Sequence, residues 1–294
     1  MKKFILFLSI AIMSLSIVAC GKNDKEIVIG GKEVSEQDIL VNIMAELIEN
    51  KTDIKVVRKP FLGGTHICDK AMASGDLDIY PEYTGTALVS VLNEKVLKDP
   101  DEVYEKVKER YEKEKNIVWL KPFGFNNTYA LLMKESKAKE LGIKNLSDLS
   151  KQASNLVLAA GQEFLERADG YDGLKEVYSI EFKDTKSMDL GLTYVAVRDN
   201  KVDINSAHST DGRIKAFKLI ALEDDKQFFP PYYAAPIIRK ETLDKYPELK
   251  NVLNLLDSKI SNEIMSDLNA KVDIDRVDAK EVAKEWLKEQ GLID

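Results

Sequence analysis

The sequence predicts an α/β protein with two lobes, two crossings of the chain between them and a ligand cleft. Short apolar runs alternate with helical patterns from residue 27 onward, which is typical of parallel sheets with crossover helices. In addition, residues 78–83 and 203–208 both begin with Asp-Ile and end on a ring, Tyr83 or His208. This repeat predicts two similar lobes, each presenting a ring at the carboxyl end of a strand, where open α/β sheets bind ligands.

The first residues predict a lipoprotein leader. A basic start precedes an apolar run of about fifteen residues, which is short for a membrane span. Residues 17–20 read Ile-Val-Ala-Cys, a pattern typical of cleavage before Cys20 and lipidation of its thiol. We therefore expect a signal peptide at 1–19, a lipidated Cys20 with a tether at 20–26, and an extracytoplasmic protein anchored to the cell membrane. The alternative is an ordinary signal peptide with an incidental cysteine.

The composition argues against a nucleic-acid partner and against an intrachain disulfide. The formal net charge is −7, and loss of the basic leader would make the chain more acidic still. An acidic surface disfavours nucleic acid, which needs a basic footprint. The chain has two cysteines, so lipidation of Cys20 would leave Cys68 without a partner for an intrachain disulfide.

The first lobe is predicted from residues 27–127 and 233–294. Its strands are expected at 27–30, 54–57, 77–80, 117–120 and 234–238. Its helices are expected at 35–48, 65–74, 99–115, 241–257, 258–269 and 279–289. Ser35 and Asp38 resemble a capping box at the start of the first of these helices.

The second lobe is predicted from residues 128–232. The stretch 128–133 is the first candidate crossover into it. Its strands are expected at 156–160, 202–205 and 219–222, and its helices at 162–168 and 189–200. We expect the chain to cross between the lobes near 126–130 and 228–233. The second crossing is rich in aromatic residues and proline, and proline fixes φ and interrupts sheet pairing.

The sequence contains no strong motif for metal binding, catalysis or nucleotide binding. His66 and Cys68 are two soft ligands whose spacing points them apart on a helix, and structural zinc wants four ligands, so we expect no metal. The chain has no G-x-S-x-G elbow, no G-x-G-x-x-G and no P-loop. We therefore expect no nucleotide cofactor and no catalytic residues.

Four ordered blocks carry a resemblance to a known family. They are Tyr-Pro-Glu-Tyr-Thr-Gly-Thr at 80–86, Asn-Asn-Thr-Tyr-Ala-Leu at 126–131, Glu-Phe-Leu-Glu-Arg at 163–167 with Asp-Gly at 169–170, and Ser-Thr-Asp-Gly-Arg-Ile at 209–214. With these blocks the chain resembles the substrate-binding lipoproteins of osmoprotectant ABC importers, which capture glycine betaine, carnitine, choline and related amines. The resemblance covers essentially the whole mature chain and implies a two-lobed, periplasmic-binding-protein-like (type II) fold.

The resemblance implies an aromatic cage around a quaternary ammonium group. Carried over residue by residue, the cage consists of Tyr83, Tyr129, His208 and Tyr232. His208 departs from the family, which usually has tyrosine there, and a neutral imidazole offers a weaker face to a cation. If His208 lines the cage, its protonation would weaken cation binding as pH falls. Most tyrosines serve only packing, and the alternative for His208 is a hydrogen-bonded structural histidine.

The resemblance also implies polar contacts for the ligand. Lys32, Thr86 and Arg167 correspond to positions that hold a betaine carboxylate, Asn127 lies beside the second cage residue, and Glu163 is expected to orient Arg167. Arginine suits bidentate carboxylate recognition and lysine a point contact. The alternative for Glu163 and Arg167 is an ordinary i,i+4 ion pair on a helix.

The sequence thus predicts a monomeric receptor that passes a small quaternary amine to a permease and an ATPase on separate chains. Contacts from both lobes would favour closure of the hinge around the ligand. One alternative is a receptor for a larger betaine such as ergothioneine. Another, of a different class, is a lipid-anchored enzyme or sensor on the same fold.

Overall fold

A computed structural model describes residues 25–294 of the protein. The predicted signal peptide, Cys20 and most of the tether lie outside the described residues. Within residues 25–294 the chain forms two five-stranded sheets with helices packed around them. This arrangement confirms the α/β class.

The first sheet is built from both ends of the described chain. Its strands are β1 (Glu26–Gly30), β2 (Lys55–Lys59), β3 (Ile79–Tyr83), β4 (Ile117–Trp119) and β10 (Ala234–Arg239). Their order across the sheet is β2-β1-β3-β10-β4. β1 runs parallel to β2 and β3, whereas β10 runs antiparallel to β3 and β4.

The second sheet repeats this arrangement with the middle of the chain. Its strands are β5 (Tyr129–Lys134), β6 (Val157–Ala160), β7 (Asp184–Ser187), β8 (Ile204–His208) and β9 (Leu219–Ala221). Their order is β7-β6-β8-β5-β9. β6 runs parallel to β7 and β8, whereas β5 runs antiparallel to β8 and β9. β3 and β8 therefore occupy the same central position in the two sheets.

Helices connect the strands and cover the sheets. In chain order they are α1 (Ser35–Lys51), α2 (Thr65–Ser74), α3 (Thr84–Thr86), α4 (Pro100–Lys115), α5 (Glu135–Leu141), α6 (Leu146–Ser150), α7 (Gln162–Glu166), α8 (Tyr171–Tyr178), α9 (Leu190–Arg198), α10 (Arg213–Ala216), α11 (Lys240–Lys245), α12 (Glu248–Leu253), α13 (Asn262–Asp273) and α14 (Ala279–Glu289). A π-helical turn continues α3 through Ala87–Val91, and 3₁₀ turns lie at Ala153–Asn155 and Asn254–Leu256. None of the helices within residues 25–294 has the length and apolar character that a membrane span needs.

The Asp-Ile repeat has the same local structure in both sheets. Asp78 accepts a hydrogen bond from the backbone N–H of Val28 at 2.8 Å, and Asp203 accepts one from Val157 at 2.7 Å. Val28 lies on β1 and Val157 on β6, the strands that neighbour β3 and β8. Each aspartate thus ties the start of a central strand to its parallel neighbour, and each strand then ends on a ring.

Two antiparallel segments join the sheets. Asn126, just before β5, forms an isolated β-bridge with Tyr233, just before β10. Asn127 N–H donates to the Tyr232 carbonyl at 3.1 Å, and Tyr232 N–H donates to the Asn126 side chain at 2.7 Å. The two connections therefore run side by side, an arrangement suited to a hinge. The limits of the lobes, as residue ranges, stay a prediction.

Each sheet has its own apolar core. Helix α1 buries Ile39, Ile43 and Leu47 completely, in one cluster with Trp286 of α14. A second cluster fills the other lobe, where Leu131, Leu158 and Phe164 meet. Burial of this apolar surface is the main favourable contribution to folding. The space between the sheets is lined by polar and aromatic residues together with Val34, Met188 and Leu190.

Some predicted elements differ from the structure. The capping box is wrong: Val34 precedes α1 without a side-chain cap, and the Ser35 hydroxyl donates instead to Asp273 at 2.6 Å. The helix expected at 241–257 is broken at Pro247, because proline disfavours helical geometry in the residue before it. The third strand extends to Tyr83 rather than ending at Tyr80.

Candidate functional site

A cavity of about 470 Å³ lies between the two sheets. All nine residues singled out in the sequence line it: Lys32, Tyr83, Thr86, Asn127, Tyr129, Glu163, Arg167, His208 and Tyr232. They come from strand ends, both connections and two helix regions that are far apart in the chain. The fold therefore gathers the whole predicted set around one space.

Sheet pairing brings the rings to this cavity. Tyr83 is the last residue of β3 and His208 the last of β8. Tyr129 opens β5 and pairs directly with His208, while Ala234 opens β10 and pairs with Tyr83. Tyr232 therefore arrives two residues before β10. Because β3 and β8 are central in their sheets, the rings at their ends face the same gap.

Tyr129 is the centre of an aromatic cluster. Its ring centroid lies 5.0 Å from that of Phe164, 5.1 Å from His208 and 5.6 Å from Tyr232. The Tyr232 ring is nearly perpendicular to it, at 86°. Such edge and tilted contacts are favourable between rings. Phe164 is a further cavity ring that the residue-by-residue comparison did not single out, although it lies within the Glu-Phe-Leu-Glu-Arg block.

Tyr83 is held from both its hydroxyl and its ring. The hydroxyl donates to Glu36 at 2.6 Å, and the ammonium of Lys32 lies 5.1 Å from the ring centroid. Lys32 is also paired with the buried carboxylate of Glu82 at 2.5 Å. Burial and the nearby Glu36 charge raise the pKa of Tyr83 well above its usual value, so the phenol keeps its proton.

Arg167 forms a buried ion pair with Asp169 beside the cavity. Its guanidinium makes two hydrogen bonds to Asp169, at 2.7 and 2.5 Å, and lies 5.4 Å from the Tyr129 ring centroid. It also approaches the Thr86 hydroxyl at 3.5 Å. Asp169 in turn accepts the Tyr232 hydroxyl at 2.6 Å. Arg167 and Thr86 thus meet across the gap between the two sheets.

Glu163 does not orient Arg167, so that interpretation is wrong. Its carboxylate instead accepts a hydrogen bond from the backbone N–H of Thr65 at 3.1 Å. Thr65 begins α2, which follows β2 of the first sheet, whereas Glu163 follows β6 of the second. The contact is close: a Cβ on Gly64 would lie 2.0 Å from the same carboxylate oxygen. Because Gly64 has no side chain, the carboxylate of Glu163 can come this close. The hydrogen bond from Thr65 to Glu163 thus connects the two sides of the cavity.

His208 is a neutral ring. Burial is the main reason that its pKa falls to about 4; Asp211 opposes the fall, and the charges of Arg167 and Lys32 add to it. The backbone N–H of His208 donates to the hydroxyl of Tyr194 at 3.2 Å. The expected loss of cation binding on protonation would therefore begin only well below neutral pH.

Glu36 is a buried carboxylate that the sequence analysis missed. One oxygen accepts from Tyr83 at 2.6 Å and from Asn127 at 2.7 Å. The other accepts from Thr210 at 2.5 Å and from Asn269 at 2.9 Å. All four partners are uncharged. Burial raises the pKa of Glu36, and these hydrogen bonds oppose the rise.

The buried carboxylates beside the cavity, Glu36, Glu82 and Asp169, outnumber the cations Lys32 and Arg167. Lys32 is balanced by Glu82 and Arg167 by Asp169. Glu36 has only uncharged partners. Among the residues that the structure describes, no group of three or more His, Cys, Asp or Glu side chains could hold a metal ion. Electron-rich rings with a buried anion behind them are chemically suited to an organic cation.

Comparison with known proteins points to one family. A profile described as "OpuAC: Substrate binding domain of ABC-type glycine betaine transport system" matches residues 25–289. The carnitine transport binding protein OpuCC of Listeria monocytogenes is 37% identical over 303 residues, covering 100% of this chain and 98% of the relative.

Two further matches bear on the site. The ergothioneine transport permease/ergothioneine binding protein EgtU of Helicobacter pylori is 40% identical over 270 residues, covering 92% of this chain and 48% of the relative. A crystal structure of a glycine betaine/carnitine/choline ABC transporter has a TM-score of 0.77 and 34% identity, covering 92% of this chain and 100% of that chain. The similarity therefore extends over both sheets and both connections.

Proposed function

Because the chain belongs to the family of substrate-binding domains of ABC-type glycine betaine transport systems, we propose that it captures a small quaternary ammonium compound in the cavity between its sheets. The ligand would be of the glycine betaine, carnitine or choline type and would be delivered unchanged. The observation that supports this most strongly is the convergence of Tyr83, Tyr129, His208 and Tyr232, distant in sequence, on one cavity. Each desolvated ring face can contribute about 2 kcal/mol to binding a cation.

The cations of the cavity favour a zwitterion over choline. Lys32 and Arg167 lie over the faces of Tyr83 and Tyr129. A ligand with a carboxylate could contact these side chains while its methylated nitrogen meets the remaining ring surface. Choline has no carboxylate and would make neither contact, so Lys32 and Arg167 would keep the carboxylates of Glu82 and Asp169 as partners. Glycine betaine and carnitine are therefore the ligands that we expect to bind best.

Closure couples ligand capture to transport. Contacts such as Thr86 with Arg167 and Glu163 with Thr65 join the two sides of the cavity. A ligand that touches both sides stabilises the closed form by its greater affinity for that form. We propose that the closed form, attached to the membrane through Cys20, delivers the ligand to a permease and an ATPase on separate chains. The receptor would act as a monomer and without catalysis.

The size of the cavity favours a second candidate ligand. The lining extends beyond the four rings to Gly161, Ser187 and Leu190, and cavities of about 300–1,000 Å³ commonly take drug-sized ligands. A larger betaine, such as the imidazole-thione betaine ergothioneine, would use this additional room. The similarity to EgtU supports including it in the test.

Isothermal titration calorimetry of the lipid-free mature chain would test the proposal. Glycine betaine, carnitine, choline and ergothioneine would be titrated separately, with 3,3-dimethylbutanoate as a neutral-headed control. That control replaces the nitrogen of glycine betaine by carbon and keeps its shape and carboxylate. We expect saturation at one site by at least one betaine, weaker binding of the control, and unchanged ligand by NMR afterwards. Equal binding of the control, or turnover of the ligand, would contradict the proposal.

A further inference from the structure

Glu36 differs from the other buried carboxylates of the site in its charge balance. Glu82 faces the ammonium of Lys32, and Asp169 faces the guanidinium of Arg167. Glu36 is 5% exposed and is surrounded by two hydroxyls and two amides. The amide nitrogens of Asn127 and Asn269 can only donate, one to each oxygen, and the two hydroxyls can donate as well. This arrangement suits the ionised carboxylate.

A buried carboxylate without a cation is costly, because hydrogen bonds alone replace only part of its hydration. Tyr83 and Asn127 both connect this charge to the cavity, and of the two Tyr83 offers a ring face. The hydroxyl of Tyr83 donates to Glu36 at 2.6 Å, and the ring lines the cavity. Hydrogen bonds in a low-dielectric interior polarise their partners. The carboxylate therefore draws the phenol proton toward itself and makes the ring face more negative.

We propose that Glu36 is the counter-ion of the bound cation and acts through the hydroxyl and ring of Tyr83. It is a positioning residue, since it does not line the cavity. This inference rests on the proposed function and adds the source of the selectivity for a charged head group. Four uncharged side chains hold the charge in place, and the ring of Tyr83, which also lies 5.1 Å from the ammonium of Lys32, connects it to the cavity.

The test compares two ligands that differ only in charge. Glycine betaine and 3,3-dimethylbutanoate are titrated into the wild type and into Glu36→Gln, and the ratio of their Kd values is the readout. Loss of the counter-ion should lower this selectivity ratio about tenfold, or about 1.4 kcal/mol. The Kd of 3,3-dimethylbutanoate, whose head group carries no charge, should change little. A purely structural role of Glu36 would weaken both ligands by the same factor and leave the ratio unchanged, which would overturn the proposal.

Thr210→Val is the matched control. It removes a hydrogen bond to Glu36 but leaves the carboxylate charge and the bond from Tyr83. The two Kd values should therefore shift together, with the ratio preserved. A ratio that falls as far as in Glu36→Gln would show that packing rather than charge sets the selectivity.

Tyr83→Phe keeps the inference testable if Glu36→Gln does not fold. This variant retains the ring and the three other partners of Glu36 but breaks the link between charge and ring. The selectivity ratio should fall severalfold, and an unchanged ratio would overturn the inference. A wild type that binds both ligands equally would instead contradict the proposed function itself. The two failures are therefore distinguishable.

Discussion

The hydrogen bond between Glu163 and the backbone of Thr65 should stabilise the closed form, so Glu163→Ala should weaken ligand binding. The donor–acceptor distance is 3.1 Å, and the donor is the first N–H of α2, whose helix dipole favours an anion. A hydrogen bond to a charged group contributes about 1.5–3 kcal/mol. Glu163 is exposed, so solvent competes and about 1 kcal/mol remains. Because only the closed form makes this contact, the apparent Kd should rise about fivefold.

Calorimetry with the preferred betaine measures this change, and small-angle scattering shows whether saturating ligand still compacts the protein. Glu166→Ala is the matched control, since Glu166 lies on the same helix and accepts a hydrogen bond from Gln162 of that helix. It should leave the Kd unchanged. An unaltered Kd for Glu163→Ala, or an equal loss in Glu166→Ala, would refute the idea that the contact holds the two sides together.

Three further changes test the site and its support. Tyr129→Leu removes the central ring and with it a desolvated cation–π contact of about 2 kcal/mol. The Kd of the betaine, measured by calorimetry, should rise about thirtyfold. A rise of less than about threefold would contradict the role of Tyr129. His208→Tyr should leave the pH dependence of the betaine Kd between pH 5.5 and 8 unchanged, because burial holds the pKa of His208 down to about 4. In the unfolded chain the imidazole of His208 takes up a proton at about pH 6.5. The free energy of unfolding of the wild type, measured by urea denaturation, should therefore fall by up to about 3 kcal/mol between pH 6.5 and pH 4. The free energy of unfolding of His208→Tyr should fall less. Gly85→Ala would put a Cβ 2.7 Å from the Pro231 carbonyl and 2.8 Å from the Tyr232 ring. It should cost about 1–3 kcal/mol in the same denaturation assay, whereas Gly161→Ala, with nothing within 4 Å of its Cβ, should be neutral.

Much of the fold could be predicted because apolar periodicity is strong in its central elements. The run at 27–30 is β1, and the pattern at 65–74 is α2 to the residue. β7 was missed because its sequence, Asp-Thr-Lys-Ser, is exposed at every position and carries no apolar signal. The pairing of β7 with β6 comes from backbone hydrogen bonds, which side-chain patterns do not reveal.

Tyr83 and His208 could be singled out because the Asp-Ile repeat places a ring five residues after each aspartate, whereas Tyr129 and Tyr232 are expected only from the family resemblance. Glu36 and its partners, which lie behind the rings, could not be predicted from the sequence. Glu36 lies in the first turn of α1, where an acidic residue ordinarily complements the helix dipole. Its partners Thr210 and Asn269 are more than 170 residues away in the chain. The role of Glu163 likewise depends on Gly64, which lies on the other side of the cavity and about 100 residues earlier in the chain.

A crystal structure of the mature chain grown with glycine betaine is the most direct test of the central claim. We expect the methylated nitrogen within about 6 Å of the ring centroids of Tyr83, Tyr129 and Tyr232. The carboxylate should point toward Lys32 or Arg167. A ligand bound outside this cavity, or one whose nitrogen points away from all three rings, would contradict the account.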